Sequence, residues 1–276
     1  MSKVPSLTLN NGVEMPQLGF GVWQVPDDEA TAAVSTALEA GYRSIDTAAI
    51  YGNEEGTGRA LASSGIARDE LFVTTKLWND KQGYDSTLRA FDESIGKLGL
   101  DYVDLYLIHW PVAGQGTFVD TFKAFEKILA DGRAKAIGVS NFLPEHLETL
   151  LAETSVVPAV NQIELHPQLQ QADSRALHVK HGIATEAWSP LGQGKGLLEV
   201  PTVVAVARKH GKTPAQAVLR WHLQLGNVVI PKSVTPSRIA ENIDVFDFEL
   251  DADDMAAFAA LDEGKRLGPD PAVFGA

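Results

Sequence analysis

Residues 18–24 read Leu-Gly-Phe-Gly-Val-Trp-Gln, and a glycine missing from this stretch decides between two folds. An open, doubly wound sheet would bind a dinucleotide through Gly-x-Gly-x-x-Gly after its first strand, the third glycine allowing close helix–strand packing. Gly19 and Gly21 supply the first two, but Gln24 stands where the third belongs. No other stretch has the full spacing. Outward from here, eight short β-rich runs follow one another: LGFG, GYRSIDTA, ELFVTTK, YVDLYLIHW, RAKAIGVSNF, VPAVNQIELHP, GIATEAWSP and NVVIPKS. Amphipathic stretches lie between them, at 28–40, 84–98, 120–131, 144–153 and 174–181. Strands alternating with helices predict parallel βα units. Eight such units without the glycine fingerprint predict an α/β fold of one kind, a (β/α)8 TIM barrel forming a single domain over residues 1–276.

Punctuation along the chain agrees. Thr213 before Pro214 reads as the cap and first residue of a helix running to Gln224. Gly41, Gly99, Gly132, Gly182 and Gly226 fall just past helical stretches, where a left-handed residue closes the last turn. Near the start, Asn11-Gly12 between two extended runs predicts an N-terminal β-hairpin, either a plug at the bottom of the barrel or a surface ornament.

Composition narrows the function. The chain carries 23 Lys and Arg against 36 Asp and Glu, a formal net charge of -13. Such a surface repels phosphate backbones and anionic lipid, so neither nucleic acid nor a membrane is an expected partner. An anionic ligand would need a local basic cluster. With no cysteine, disulfides, thiolate catalysis and zinc–sulfur sites are excluded, and no metal is expected. No apolar run is long enough for a signal peptide or a membrane span, which predicts a cytoplasmic protein.

The active site of such a barrel lies at the C-terminal ends of its strands. The second run ends at Asp46, the third at Lys76 and the fourth at His109, with Tyr51 in the loop after the second. Taken singly, each has a bland explanation: a helix cap, a surface lysine, a packed histidine or tyrosine. Jointly they suit proton donation. An aspartate on the neighbouring strand pairs with the lysine, since an isolated buried charge is too costly to keep. The lysine cation is expected to lower the phenol pKa from about 10. Tyr51 then acts as general acid to a carbonyl receiving hydride, with His109 donating a second hydrogen bond to the same oxygen.

These residues sit in long motifs: GYRSIDTAAIYGNE, TTKLW, DLYLIHWP, KAIGVSNF, VNQIELHP and IPKSVTPSRIAENIDVFDFEL. Along essentially its whole length the chain resembles the aldo-keto reductases, and TKLWND, SPLGQGK and TPAQAVLRWHLQ look most like the prokaryotic 2,5-diketogluconate reductase branch. One departure is Thr57-Gly58, where an aliphatic residue usually precedes the glycine.

The resemblance implies NADPH as cofactor, a small-molecule carbonyl as substrate and a monomer. It implies that Ser140, Asn141 and Gln162 bind the nicotinamide carboxamide, Trp188 stacks on its ring, and Leu191 and Gln193 cover the pyrophosphate. Lys232, Ser233 and Arg238 would form the basic cluster, clamping a 2′-phosphate, and Glu241 and Asn242 would face the adenine. Trp23, Trp78 and Trp110 would wall the substrate pocket, while Trp221 belongs to the core. The tail after Leu261 is short, which predicts an open site. Two other readings stand beside reduction of a carbonyl. One is an NADPH-binding sensor with little turnover, as in potassium-channel β subunits that resemble this family. The other is a Schiff-base aldolase using Lys76.

Overall fold

The computed structural model describes residues 4–275. Eight parallel strands follow in chain order: β3 (Phe20–Gly21), β4 (Ser44–Asp46), β5 (Phe72–Leu77), β6 (Val103–Ile108), β7 (Ala134–Ser140), β8 (Val160–Glu164), β9 (Ala184–Trp188) and β10 (Val228–Val229). The two edges meet. Leu18 bridges Val229 in parallel, Gly19 N–H donates to Val229 O at 2.8 Å, and Val229 N–H donates to Gln17 O at 3.0 Å. The sheet is therefore a closed barrel, as the missing glycine predicts. The eighth ladder stops at Val229, so Lys232 and Ser233 lie in the loop beyond it. Pro231 has no N–H to extend it.

Among the described residues, ten helices surround the strands: α1 (Asp27–Glu39), α2 (Glu54–Ser63), α3 (Tyr84–Leu98), α4 (Phe118–Ala130), α5 (Pro144–Glu153), α6 (Ala172–His181), α7 (Pro201–Lys209), α8 (Pro214–Gln224), α9 (Pro236–Ile243) and α10 (Ala252–Ala259). Helix α8 begins as its sequence predicts. Thr213 Oγ1 accepts from Gln216 N–H, and the Gln216 side chain accepts from Thr213 N–H. All five predicted closing glycines have positive φ. Helix α2 is the least expected, because Gly56 and Gly58 weaken its helix propensity. Close approach accounts for both glycines: an added Cβ would stand 2.3 Å from Asp27 O at Gly56 and 2.4 Å from Leu98 O at Gly58.

The predicted hairpin is present as β1 (Ser6–Thr8) paired antiparallel with β2 (Glu14–Pro16). Its turn is the three-residue kind, since Gly12 N–H donates to Leu9 O and only Gly12 takes positive φ. Leu9 and Met15 are buried against Phe72, Leu105, Leu107, Ala136, Val160 and Val228. Asn10 and Asn11 donate to Pro158 O and Lys135 O beside the strand starts. The hairpin thus closes the lower end of the barrel with an apolar floor. Above that floor the period-two alternation of the strands brings polar side chains inward. Outward-facing Tyr106 and Ile137 pack with Phe91, Phe122 and Phe125 of α3 and α4.

Candidate active site

Asp46 closes β4, Lys76 lies near the end of β5, and His109 directly follows β6. Lys76 Nζ donates to Asp46 Oδ1 at 2.6 Å and to Thr47 O at 2.9 Å. Its side chain is fully enclosed, and that of Asp46 is 3% exposed. Tyr51 rises from a short 3-10 turn over residues 49–51, its ring centre 5.2 Å from Lys76 Nζ and 5.6 Å from the His109 ring. The four side chains gather at one rim, as predicted.

Their electrostatics partly correct the expectation. Burial alone would depress the Lys76 ammonium, but Asp46 and then Tyr51 hold it above the ordinary lysine range. Burial pushes the Tyr51 phenol up, and the pull of Lys76 does not reverse this. The expected lowering of the phenol pKa is thus not what this site has, because desolvation outweighs one cation that is already paired. A phenol so held keeps its proton at neutral pH. Burial, then the Lys76 charge, drives His109 well below the usual histidine range, so its imidazole is neutral. A neutral ring offers one N–H donor without competing for the proton.

Ser140, Asn141 and Gln162 form one bonded group. Ser140 Oγ donates to Gln162 O, and Asn141 Nδ2 donates to His109 O and Ser140 Oγ. Trp188 Nε1–H donates to Asn141 Oδ1 at 2.8 Å, which fixes the indole plane. Both amide hydrogens of Gln162 are committed, to Asp46 Oδ2 at 2.8 Å and Glu186 Oε2 at 2.9 Å. Only its Oε1 remains to receive a bond from a ligand. Leu191 packs on the core, and Gln193 Nε2 donates to Ser189 Oγ.

Lys232 and Arg238 are exposed, and among the described residues neither pairs with a carboxylate. Ser233 is buried, its hydroxyl accepting from Thr235 N–H at the start of α9. Glu241 accepts from Thr213 Oγ1, which turns its carboxylate toward α8, and Asn242 is buried beside it. This donor set fits a dinucleotide phosphate: uncompensated cations at a helix start, in a chain otherwise acidic.

Trp78 meets the His109 ring at 5.2 Å and Trp110 stacks beside it at 6.5 Å. Trp23 is 43% exposed at the rim and, among the described residues, joins no ring contact of this group. Trp221 is in the core, as predicted. The tail is less open than its length suggests. Phe274 packs at 4.4 Å on Trp110 and 6.4 Å from Trp78. Leu267 and Gly268 N–H donate to the buried carboxylate of Glu164, and an added Cβ at Gly268 would meet the Trp188 ring at 2.5 Å. Sequence reading passes over Phe274, Glu164 and Glu186. For Glu186 a signal was present: a charged residue at an inward position of a strand, two before Trp188.

The family model of the Aldo/keto reductase family matches residues 16–263. The chain belongs to the aldo/keto reductase family. It is 62% identical over 270 residues to an aldo-keto reductase of Mycolicibacterium smegmatis, covering 98% of both chains. It is 54% identical over 276 residues to the methylglyoxal reductase DkgA of Salmonella typhimurium, covering 100% of both. Among solved structures, a Gox0644 variant in complex with NADPH superposes with a TM-score of 0.94 at 52% identity, with 98% of each chain covered. An aldo/keto reductase is an oxidoreductase, and the family supports carbonyl reduction in general.

Proposed function

We propose that this aldo/keto reductase uses NADPH to reduce small aldehydes, ketones or α-dicarbonyls, of methylglyoxal or 2,5-diketogluconate type, with Tyr51 as general acid. The observation that carries the reading is the buried Lys76–Asp46 pair beneath a protonated Tyr51 and a neutral His109. The dicarbonyl class draws on DkgA, whose printed name is methylglyoxal reductase, and NADPH on the complex of the structural neighbour.

When bound, the cofactor supplies hydride. Trp188 is the platform for its nicotinamide, with Gln162 Oε1 and Ser140 Oγ turned to the carboxamide. Leu191 and Gln193 would lie over the pyrophosphate, Lys232, Ser233 and Arg238 at the 2′-phosphate, and Glu241 and Asn242 near the adenine. His109 orients the carbonyl oxygen by one N–H donor, and Tyr51 delivers its phenolic proton to that oxygen as charge develops. Lys76 stabilises the phenolate left behind, while Asp46 keeps Lys76 charged. Trp78 and Trp110, with Trp23 at the rim, exclude water around the carbonyl. A lysine held in its charged form by Asp46 is a poor imine-forming nucleophile, which counts against an aldolase.

The test is Tyr51→Phe, which keeps the ring and removes the proton. Turnover of methylglyoxal should fall at least about 10²-fold, while NADPH affinity, read by tryptophan fluorescence, stays near the parent's. Turnover close to the parent's would assign the proton to another group.

A further inference from the structure

Beneath the proposed tetrad lies a second carboxyl that the reduction mechanism does not use. Glu186 faces the barrel interior from β9, fully enclosed, opposite Gln162 on β8 and Val228 on β10. Gln162 Nε2 bridges it to Asp46, with bonds of 2.9 and 2.8 Å. Among the described residues its other oxygen, Oε1, has no partner. The charged and titratable groups that act on it or feel it are Asp46, Lys76 and Tyr51. Two carboxyls thus share one buried cation, and Asp46 holds that cation directly.

We propose that Glu186 is a positioning residue for the proton donor: it stays neutral under Asp46–Lys76, fixes the Gln162 amide, and on ionising makes Tyr51 hold its proton more tightly. The inference rests on the reading of Tyr51 as general acid. Two buried anions against one cation are too costly, so one carboxyl keeps a proton. The one bonded to ammonium ionises first, and the partnerless Oε1 is where the other's proton sits. Burial, and then the Asp46 charge, raises the Glu186 carboxyl to about 8. Its proton leaves at mildly alkaline pH, before those of Tyr51 and Lys76, both of which lie above their ordinary values. The anion then formed raises Tyr51 further. Proton donation thereby extends to higher pH than a single carboxylate beneath Lys76 would allow. Neutral or charged, Glu186 accepts from Gln162, so the amide keeps Oε1 turned to the proposed nicotinamide site throughout.

Three proteins decide the matter: the parent, Glu186→Gln and Tyr51→Phe. In alkaline ultraviolet titration of the ligand-free protein, the phenolate step absent from Tyr51→Phe belongs to Tyr51. In Glu186→Gln that step should move down by about half to one pH unit, and the alkaline limb of kcat for reduction should move with it. Infrared spectra of the parent at pH 7 should contain a buried protonated-carboxyl band that disappears on titration to about pH 10 and is missing from Glu186→Gln. An unmoved Tyr51 step, or no such band, overturns the proposal. The infrared test needs only the parent, so it decides even if Glu186→Gln folds poorly. Near-parental turnover by Tyr51→Phe with a shifted Tyr51 step would instead remove the general-acid reading and leave the coupling standing.

Discussion

The Lys76–Asp46 pair can be measured as a coupling. Its Nζ–Oδ1 distance is 2.6 Å, and the two side chains are 0% and 3% exposed. Removing one partner of such a pair leaves an uncompensated buried charge, at a cost of about 3–5 kcal/mol. Asp46→Asn leaves the ammonium with Thr47 O alone among its present bonds; Lys76→Met leaves the carboxylate with the Gln162 amide. Lys76→Met should lower stability by that amount at pH 7, and Asp46→Asn by no more than that, because Glu186 can ionise toward Lys76 once the Asp46 charge is gone. The double variant leaves no stranded charge and should lose far less than the sum, a coupling of roughly 2 kcal/mol or more. Urea unfolding of the ligand-free protein, followed by tryptophan fluorescence, reads this directly. With a slope near 3 kcal/mol per molar, a loss of that size moves the midpoint by about 1–1.7 M. Single costs that simply add in the double variant, to within about 0.5 kcal/mol, would refute the idea that the pair is one electrostatic unit.

Three further outcomes are expected. Losing Lys232 and Arg238 together should weaken NADPH binding by roughly 10²- to 10⁴-fold, since each charge-assisted bond contributes about 1.5–3 kcal/mol; NADH affinity, by fluorescence quenching, should stay unchanged, and equal loss for both cofactors would move the 2′-phosphate site elsewhere. Thr57→Val should stabilise the protein by about 1 kcal/mol in urea unfolding, because the Thr57 hydroxyl is buried in α2 with no partner among the described residues. Acid should unfold the chain partly through histidine. Burial lowers His178 to about 4 and His222 to about 3, so both are neutral when folded, while the unfolded chain takes up their protons below about 6.5. Their contribution is present above that pH and is lost as pH falls toward 4 and below. The His178→Gln/His222→Gln protein should show a flatter decline, by up to about 2.7 kcal/mol per pH unit for two protons.

Much of this was legible because barrel strands expose their alternation in sequence. Asp46, Lys76, His109 and Trp188 fall at inward positions near strand ends, and reading those ends in order finds them. Helix α2 was hidden because Gly56 and Gly58 answer to the backbones of α1 and α3, not to helix propensity. The bonds of Gln162 and Glu241 were illegible for another reason: the same side chain can face a ligand or a neighbour, and only three-dimensional partners such as Glu186 and Thr213 settle which. The sign of the Tyr51 shift required knowing how deeply the phenol is sunk, a depth no motif encodes.

The tail carries a practical consequence. Phe274 joins a wall whose other members come from residues 78 and 110, so the wall is completed by a residue far along the chain from the strands it covers. The hairpin, by contrast, sits at the opposite end of the barrel. Anchoring the protein to a bead through a residue beside Phe274 would load the pocket wall itself, whereas attachment on the hairpin side leaves the aromatic wall untouched.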